Sequence, residues 1–162
     1  MLYRWPLNKI HHSYLDRIKI ALFYLNTKNR WTIGEKVKKF EEEYAKYLGV
    51  KYVVATSSGS TANSILSHWW YDKNKESIKK GKNKVIFNGI TWATNINPFI
   101  RDGFQPVIID INLKDFCIDY SKLESHLTKN TDVSCLFITN LIGYGGDIKE
   151  LEGIAKRFNV KL

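Results

Sequence analysis

The stretch Thr56-Ser57-Ser58-Gly59-Ser60-Thr61-Ala62-Asn63 follows the apolar run Tyr52 to Ala55 and continues into a helical pattern that begins at Thr61. We interpret the apolar run as a buried strand, so the stretch is a turn between a strand and a helix. Small residues and a glycine let backbone N–H groups converge on an anion, and a helix N-terminus adds partial positive charge. The turn therefore predicts a phosphate site, although the same residues also occur as simple helix N-caps.

Short apolar runs alternate with helical patterns along the rest of the chain. The spacing predicts helices at Ser13–Thr27, Gly34–Gly49, Thr61–Tyr71, Thr91–Arg101, Ser121–Leu127 and Ile148–Phe158, strands at Val85–Phe87, Pro106–Asp110 and Val133–Thr139, and the start of a strand at Val160–Leu162. Such alternation is typical of an α/β fold, a three-layer α/β/α arrangement around a mostly parallel sheet.

The organisation of the chain shows no composition break or internal repeat that would mark a second domain. We therefore expect one domain over residues 1–162. The sequence stops within the pattern of a strand, and a parallel sheet without its next strand would expose an edge. This predicts that the chain is a fragment of a longer protein.

The composition is that of a globular domain, with 44% hydrophobic residues and a net charge of +9 that is mostly lysine. Many lysines lie between Lys73 and Lys84, which predicts a solvated lysine loop. An alternative is a non-catalytic basic α/β module that binds nucleic acid, although arginine forks and interleaved aromatic residues are more typical of such modules. A positive surface also favours anionic small molecules.

The ends and cysteines of the chain exclude several classes of protein. Residues 1–12 contain no apolar block typical of a signal peptide, and no apolar run approaches the roughly 18 residues of a membrane span. We expect a cytoplasmic protein with no membrane partner. Cys117 and Cys135 are too far apart in sequence to indicate a disulfide framework or a zinc site, so no metal is expected.

Two further polar segments follow predicted strands. Thr91-Trp92-Ala93-Thr94-Asn95 offers an aromatic ring that could stack on a planar cofactor, or that could simply pack at the start of a helix. The glycine-rich segment Asn140–Asp147 follows the strand that ends at Thr139, and Asp147 could cap the next helix. Loops after parallel strands meet at the carboxyl edge of a sheet, so these segments predict a ligand cleft.

The order of several short motifs resembles the DegT/DnrJ/EryC1/StrS family of sugar aminotransferases, which have the aspartate-aminotransferase (type I) fold. The motifs, over roughly residues 30–162, are Trp31-Thr32-Ile33-Gly34, Val37 with Phe40-Glu41, Tyr47-Leu48-Gly49-Val50, Ser58-Gly59-Ser60-Thr61-Ala62, Thr91-Trp92-Ala93-Thr94, Pro106-Val107 with Asp110-Ile111, and Gly143. The chain would be the N-terminal part of the large domain.

The resemblance implies a site for pyridoxal 5'-phosphate. By this likeness, Gly59, Ser60 and Thr61 would hold its phosphate group and Trp92 would stack on its pyridine ring. The segment that contains Thr32 would lie near the active-site mouth, and Thr32 and Asn140 would contact the substrate. The family also implies a homodimer.

The resemblance further implies transfer of an amino group from an amino acid such as glutamate to a keto sugar linked to a nucleotide, in the biosynthesis of deoxyamino sugars, lipopolysaccharide or other surface polysaccharides. The close alternative is a sugar 3-dehydratase of the same family, in which histidine replaces the lysine that bonds the cofactor. That position, and a carboxylate for the pyridine nitrogen, are expected beyond Leu162. We therefore expect no catalytic residue in this chain, and no activity from it alone.

Two departures from the family pattern leave the subgroup open. Many members have histidine where this chain has Asn140. The acidic approach to the strand at Val85 is replaced by Lys80-Gly81-Lys82-Asn83-Lys84. Neither change affects the predicted phosphate turn.

Overall fold

The computed structural model describes residues 13–26 and 33–162. The chain divides into two compact units, residues 1–55 and 56–162. Trp31 and Thr32, which the resemblance places near the active-site mouth, lie outside the described residues. The prediction of a single domain stays a prediction.

The first unit contains the helices α1 (Tyr14–Leu25) and α2 (Glu35–Leu48). Ser13 caps α1, because its Oγ accepts the N–H of Asp16 at 3.2 Å while the carboxylate of Asp16 accepts the N–H of Ser13 at 3.1 Å. Gly49 ends α2 with a φ of 68°, a left-handed conformation that glycine adopts without a steric penalty. Both predicted helices are confirmed, and the predicted end of the first at Thr27 lies outside the described residues.

The predicted strand from Tyr52 to Ala55 is wrong, because the structure has no strand at these residues. Tyr52 is 75% exposed and Val54 is 73% exposed, so the apolar run is not buried. The N–H of Ala55 donates to Oε1 of Glu41 at 2.8 Å instead of to a neighbouring strand. A strand needs a partner for its backbone groups, and none of the three described strands pairs with this segment.

The second unit alternates helices with strands. Its helices are α3 (Gly59–Lys79), α4 (Ala93–Arg101), α5 (Tyr120–Lys129) and α6 (Ile148–Arg157), and its strands are β1 (Lys84–Asn88), β2 (Gln105–Ile109) and β3 (Val133–Phe137). Each of these elements confirms a predicted one. α3 is longer than the predicted helix Thr61–Tyr71, and the ends of the others differ from the prediction by at most two residues. None of the described helices is long and apolar enough to cross a membrane.

β1 is the centre of a three-stranded parallel sheet in the order β2-β1-β3. Its successive side chains point to opposite faces of the sheet, as the pleat of a strand requires, and each face has its own hydrophobic cluster. Ile86 packs in one cluster with Leu123 of α5 and Ile154 of α6. Phe87 packs in the other cluster with Phe99 of α4. Helices thus cover both faces of the sheet, which confirms the predicted α/β/α fold class.

The predicted lysine loop is wrong over most of its length, because α3 continues through it to Lys79. Asp72 pairs with Lys75 one turn along the helix, and Glu76 pairs with Lys79 at 3.1 Å. These pairs offset the lysine charge on the helix surface. The first glycine of the segment is Gly81, with a φ of 92°, and the chain turns there toward β1.

The predicted strand at Val160–Leu162 is reduced to one parallel bridge at the edge of β3. Lys161 pairs with Cys135, and the N–H of Leu136 donates to the carbonyl oxygen of Lys161 at 2.8 Å. The bridge continues the parallel order of the sheet beyond β3.

We expect the Gly146→Ala variant to be less stable than the natural chain by about 1–3 kcal/mol, because an added Cβ has no room. A Cβ at Gly146 would lie 2.9 Å from Cβ of Cys117, and it would collide with the hydroxyl of Tyr120. Gly153→Ala is the matched control, since a Cβ there meets no atom within 4 Å and alanine favours the helix by up to about 1 kcal/mol. Urea unfolding measures both variants, and equal stabilities would contradict this packing.

Candidate cofactor site

The phosphate turn, which we define as residues 57–61, is organised by hydroxyl groups at the start of α3. Oγ of Ser58 accepts the N–H of Thr61 at 3.2 Å, and the carbonyl oxygen of Ser58 accepts the N–H of Ala62 at 3.0 Å. Oγ1 of Thr61 lies 3.0 Å from Oγ of Ser57 and 3.0 Å from Oγ of Ser58. The turn is thus both a helix cap and a cluster of three hydroxyls.

Two backbone N–H groups of the phosphate turn have no acceptor in the helix. They belong to Gly59 and Ser60, the first two residues of α3, because no helical residue precedes them. Both residues are exposed, and a Cβ built on Gly59 meets no atom within 4 Å. The helix therefore presents two donors and its positive dipole end to open space that a phosphate group can occupy.

Trp92 is the N-cap residue of α4, and its side chain is 72% exposed. It follows β1, which ends at Asn88, so it lies beyond the carboxyl end of the central strand. An indole with this exposure is not part of the hydrophobic core. Its aromatic face is open to a planar ring.

A chain of hydrogen bonds joins α3 to the loops that follow β1 and β3. Nδ2 of Asn63 donates to Oδ1 of Asn95 at 2.7 Å. Nδ2 of Asn95 in turn donates to the hydroxyl oxygens of Thr91 and Thr139, each at 2.9 Å. Those two hydroxyl oxygens are 2.7 Å apart. All four side chains are partly buried, so these hydrogen bonds fix the backbone on both sides of Trp92.

Asn88, the last residue of β1, is a fully buried amide with 0% exposure. Its Nδ2 donates to the carbonyl oxygens of Ile90 at 2.8 Å and Thr139 at 3.1 Å, and its Oδ1 accepts the N–H of Thr139 at 2.9 Å. A buried amide is tolerated when its polar atoms are paired in this way. Asn88 therefore holds the loop after β1 against the loop after β3.

The glycine-rich segment after β3 turns tightly and then enters α6. Asn140 is exposed, and its carbonyl oxygen accepts the N–H of Gly143 at 3.4 Å. Oδ1 of Asp147 accepts the N–H groups of Lys149 at 2.9 Å and Glu150 at 3.1 Å. The predicted cap at Asp147 is confirmed, and the amide of Asn140 is open to solvent.

A charged pair lies after β2, at the same edge of the sheet. Oδ2 of Asp110 accepts a hydrogen bond from Nζ of Lys122 at 2.9 Å, and this bond holds the pKa of the carboxyl group below its ordinary value. Gly89, in the loop after β1, approaches closely, since a Cβ there would lie 3.4 Å from Cα of Asp110. Because the carboxylate is paired with a lysine, its repulsion of an anionic ligand at this edge is reduced.

The structure places residues 59–61 and Trp92 at the N-terminal ends of two adjacent helices, joined by Asn63. Sequence reasoning grouped these residues from their positions after predicted strands. It missed Asn88 and Thr139, whose hydrogen bonds join the loop after β1 to the loop after β3. A signal was present in the sequence, since each of these polar residues ends an apolar strand pattern.

Comparisons with known proteins match this chain to one family. The model of the DegT/DnrJ/EryC1/StrS aminotransferase family matches residues 16–162. The chain is 34% identical over 128 residues to GDP-4-keto-6-deoxy-D-mannose 3-dehydratase of Yersinia pseudotuberculosis, covering 79% of the chain and 32% of that protein. It is 32% identical over 134 residues to UDP-4-amino-4,6-dideoxy-N-acetyl-beta-L-altrosamine transaminase of Campylobacter jejuni, covering 81% of the chain and 33% of that protein.

A solved structure shows the same fold. The E. coli GDP-4-keto-6-deoxy-D-mannose-3-dehydratase with bound hydrated PLP superposes with a TM-score of 0.83 at 28% identity, covering 99% of this chain and 40% of that one. The chain therefore spans about a third of the length of the curated relatives that it matches.

We expect Asn88→Ala to lower the free energy of unfolding by about 2–4 kcal/mol, because it removes a buried amide and leaves partly buried backbone groups of Ile90 and Thr139 without their partner. Asn97→Ala, an exposed asparagine on α4, is the matched control and should change stability by less than about 0.5 kcal/mol. Chemical denaturation followed by circular dichroism compares the two. Similar losses in both variants would contradict the anchoring role of Asn88.

Proposed function

The chain belongs to the DegT/DnrJ/EryC1/StrS aminotransferase family, and from that membership we propose that it forms the pyridoxal-phosphate-binding part of an enzyme that transfers an amino group to a nucleotide-linked keto sugar. The observation that carries the proposal is the phosphate turn on α3 beside the exposed Trp92 of α4. The match to a nucleotide-sugar transaminase supports the amino-transfer reaction.

The residues present fit this cofactor. The free N–H groups of Gly59 and Ser60, with the hydroxyl of Thr61, would bind the phosphate, and the helix dipole favours its negative charge. Trp92 would cover one face of the pyridine ring and exclude water from it. When bound, the cofactor supplies an electron-accepting ring that stabilises negative charge on a substrate carbon. The role of this chain is to bind and orient that ring.

Two residues are proposed to contact the sugar substrate. Asn140 offers an exposed amide in the loop after β3, which suits hydrogen bonds to sugar hydroxyl groups. Thr32 is proposed from the family resemblance, and it lies outside the described residues. An amino acid such as glutamate would be the amino donor.

Groups beyond these 162 residues would complete the chemistry. No lysine of the chain matches the family position that bonds the cofactor, and the chain covers about a third of its relatives. We therefore propose that it is inactive alone and acts as part of a longer polypeptide. A homodimer of that polypeptide is also proposed, supported by exposed apolar side chains on α3 such as Ile65 and Trp69, which are 53% and 50% exposed. A cytoplasmic location stays a prediction.

A nucleotide-sugar 3-dehydratase is the second candidate. It is favoured by the 34% identity to the Yersinia enzyme and by the TM-score of 0.83 to the E. coli enzyme. Both candidates use the same phosphate turn and the same stacking tryptophan. They differ in whether a lysine bonds the cofactor.

Borohydride reduction of the complete open reading frame, loaded with pyridoxal phosphate, separates the two candidates. An aminotransferase should lose its visible band and gain the cofactor mass on a lysine peptide in mass spectrometry. A dehydratase should bind the cofactor without forming a reducible bond to lysine. No cofactor binding at all would contradict both proposals.

We expect Trp92→Ala to weaken the binding of pyridoxal phosphate and of pyridoxal about tenfold each, because both ligands lose the stacked ring. Tyr47→Ala, an exposed aromatic residue on α2, is the matched control and should bind both ligands as the natural protein does. Absorbance titration of the complete protein measures the dissociation constants. Unchanged binding in Trp92→Ala would remove this residue from the site.

A further inference from the structure

Pro98 lies inside α4 and is buried. Proline has no backbone N–H, so it cannot donate to the carbonyl group four residues earlier in the helix. In α4 that carbonyl belongs to Thr94, close to the N-terminal end of the helix. The helix therefore contains a carbonyl oxygen that its own backbone leaves unpaired at this position.

Asn63 of α3 occupies the vacant position at this carbonyl. Its Nδ2 lies 3.3 Å from the carbonyl oxygen of Thr94 and 2.7 Å from Oδ1 of Asn95. The two hydrogens of one amide nitrogen can serve these two acceptors. The side chain of α3 thus replaces the hydrogen bond that Pro98 removes from α4.

We propose that Asn63 is a positioning residue that sets the distance between the phosphate turn and Trp92. This inference rests on the proposed function. Asn63 is two residues from Thr61 on α3, and Thr94 is two residues from Trp92 in α4. The contact is therefore close to both halves of the site. A shift of either helix at this point would change the distance between the phosphate turn and Trp92.

A second contact joins the middle of α3 to the C-terminal end of α4. Oγ of Ser67 donates to Oδ2 of Asp102 at 2.7 Å, and Nε of Arg101 donates to Oδ1 of Asp102 at 3.0 Å. Ser67 is fully buried. Because this contact lies beyond the last turn of α4, it leaves the separation of the N-terminal ends to Asn63.

The functional consequence concerns a ligand that bridges the two halves. Pyridoxal phosphate carries a phosphate for the turn and a ring for Trp92 in one molecule, joined by a short linkage. Its affinity depends on the spacing of the two halves, whereas the affinity of each half for its own fragment does not. Loss of Asn63 should therefore weaken the whole cofactor more than either fragment.

A double-mutant cycle tests the contact without any cofactor. Asn63→Ala should lower the folding equilibrium constant about tenfold in the natural background, because the Thr94 carbonyl and Oδ1 of Asn95 both lose their partner. In the Pro98→Ala background the helix supplies an N–H to that carbonyl, so only the bond to Asn95 is lost and the same change should cost about threefold or less. Asn74→Ala is the matched control, since Nδ2 of Asn74 donates within its own helix, to the carbonyl oxygen of Trp70 at 2.8 Å. Its effect should be the same in both backgrounds. Equal losses for Asn63→Ala in both backgrounds would overturn the coupling to Pro98.

Binding by the complete protein tests the positioning role, with pyridoxal phosphate, pyridoxal and inorganic phosphate as probes. Asn63→Ala should weaken pyridoxal phosphate about tenfold and change the binding of the two fragments by less than about twofold. An equal loss for all three probes would show a general structural defect and overturn the inference, as would unchanged binding of pyridoxal phosphate. If the natural protein binds the fragments but not the whole cofactor, the proposed function fails, and the stability cycle still decides whether Asn63 and Pro98 are coupled.

Discussion

The buried amide of Asn88 is the interaction on which the site depends. It lies at the end of the central strand with no exposure to water, so each of its polar atoms needs a protein partner. The partners are backbone groups of Ile90 and Thr139, one in the loop after β1 and one directly after β3. A single side chain therefore fixes two loops at the carboxyl edge of the sheet.

From this anchor the hydrogen bonds continue outward to both helices. Thr139 contacts Asn95 through its hydroxyl, and Asn95 accepts from Asn63 of α3. The sheet core, the start of α4 and the start of α3 are thus one connected unit. Such a network is rigid because every member is satisfied, and it leaves the first N–H groups of α3 and the indole of Trp92 without competing partners of their own.

Part of the positive charge of this lysine-rich chain is offset locally. Several of its lysines pair with neighbouring acids, as Lys79 does with Glu76 and Lys84 does with Asp132. The proposed anion site uses backbone donors at a helix terminus instead of lysine side chains. That arrangement suits a small phosphate-bearing cofactor, which needs a compact and directional site.

The sequence by itself determined most of the alternation of strands and helices, the caps at Ser13 and Asp147 and the polar turn that begins α3, because these follow from residues close together in the chain. Its resemblance to a family of sugar aminotransferases, carried by an ordered set of short motifs, is confirmed by the family match. Tertiary structure decided the rest. The apolar run at residues 52–55 is not a strand, because a strand depends on a partner that local pattern cannot supply.

The hydrogen bonds that assemble the site were also beyond local pattern. Asn88 meets Thr139 across 51 positions of sequence, and Asn63 meets Thr94 across 31. In the sequence, an asparagine at the end of a strand or in a helix cannot be distinguished from any other polar residue. Only the fold shows which unpaired backbone groups lie within hydrogen-bond distance of it. Periodicity records which face of an element is buried, whereas the choice of partner for a buried polar atom is made by the packing of distant segments.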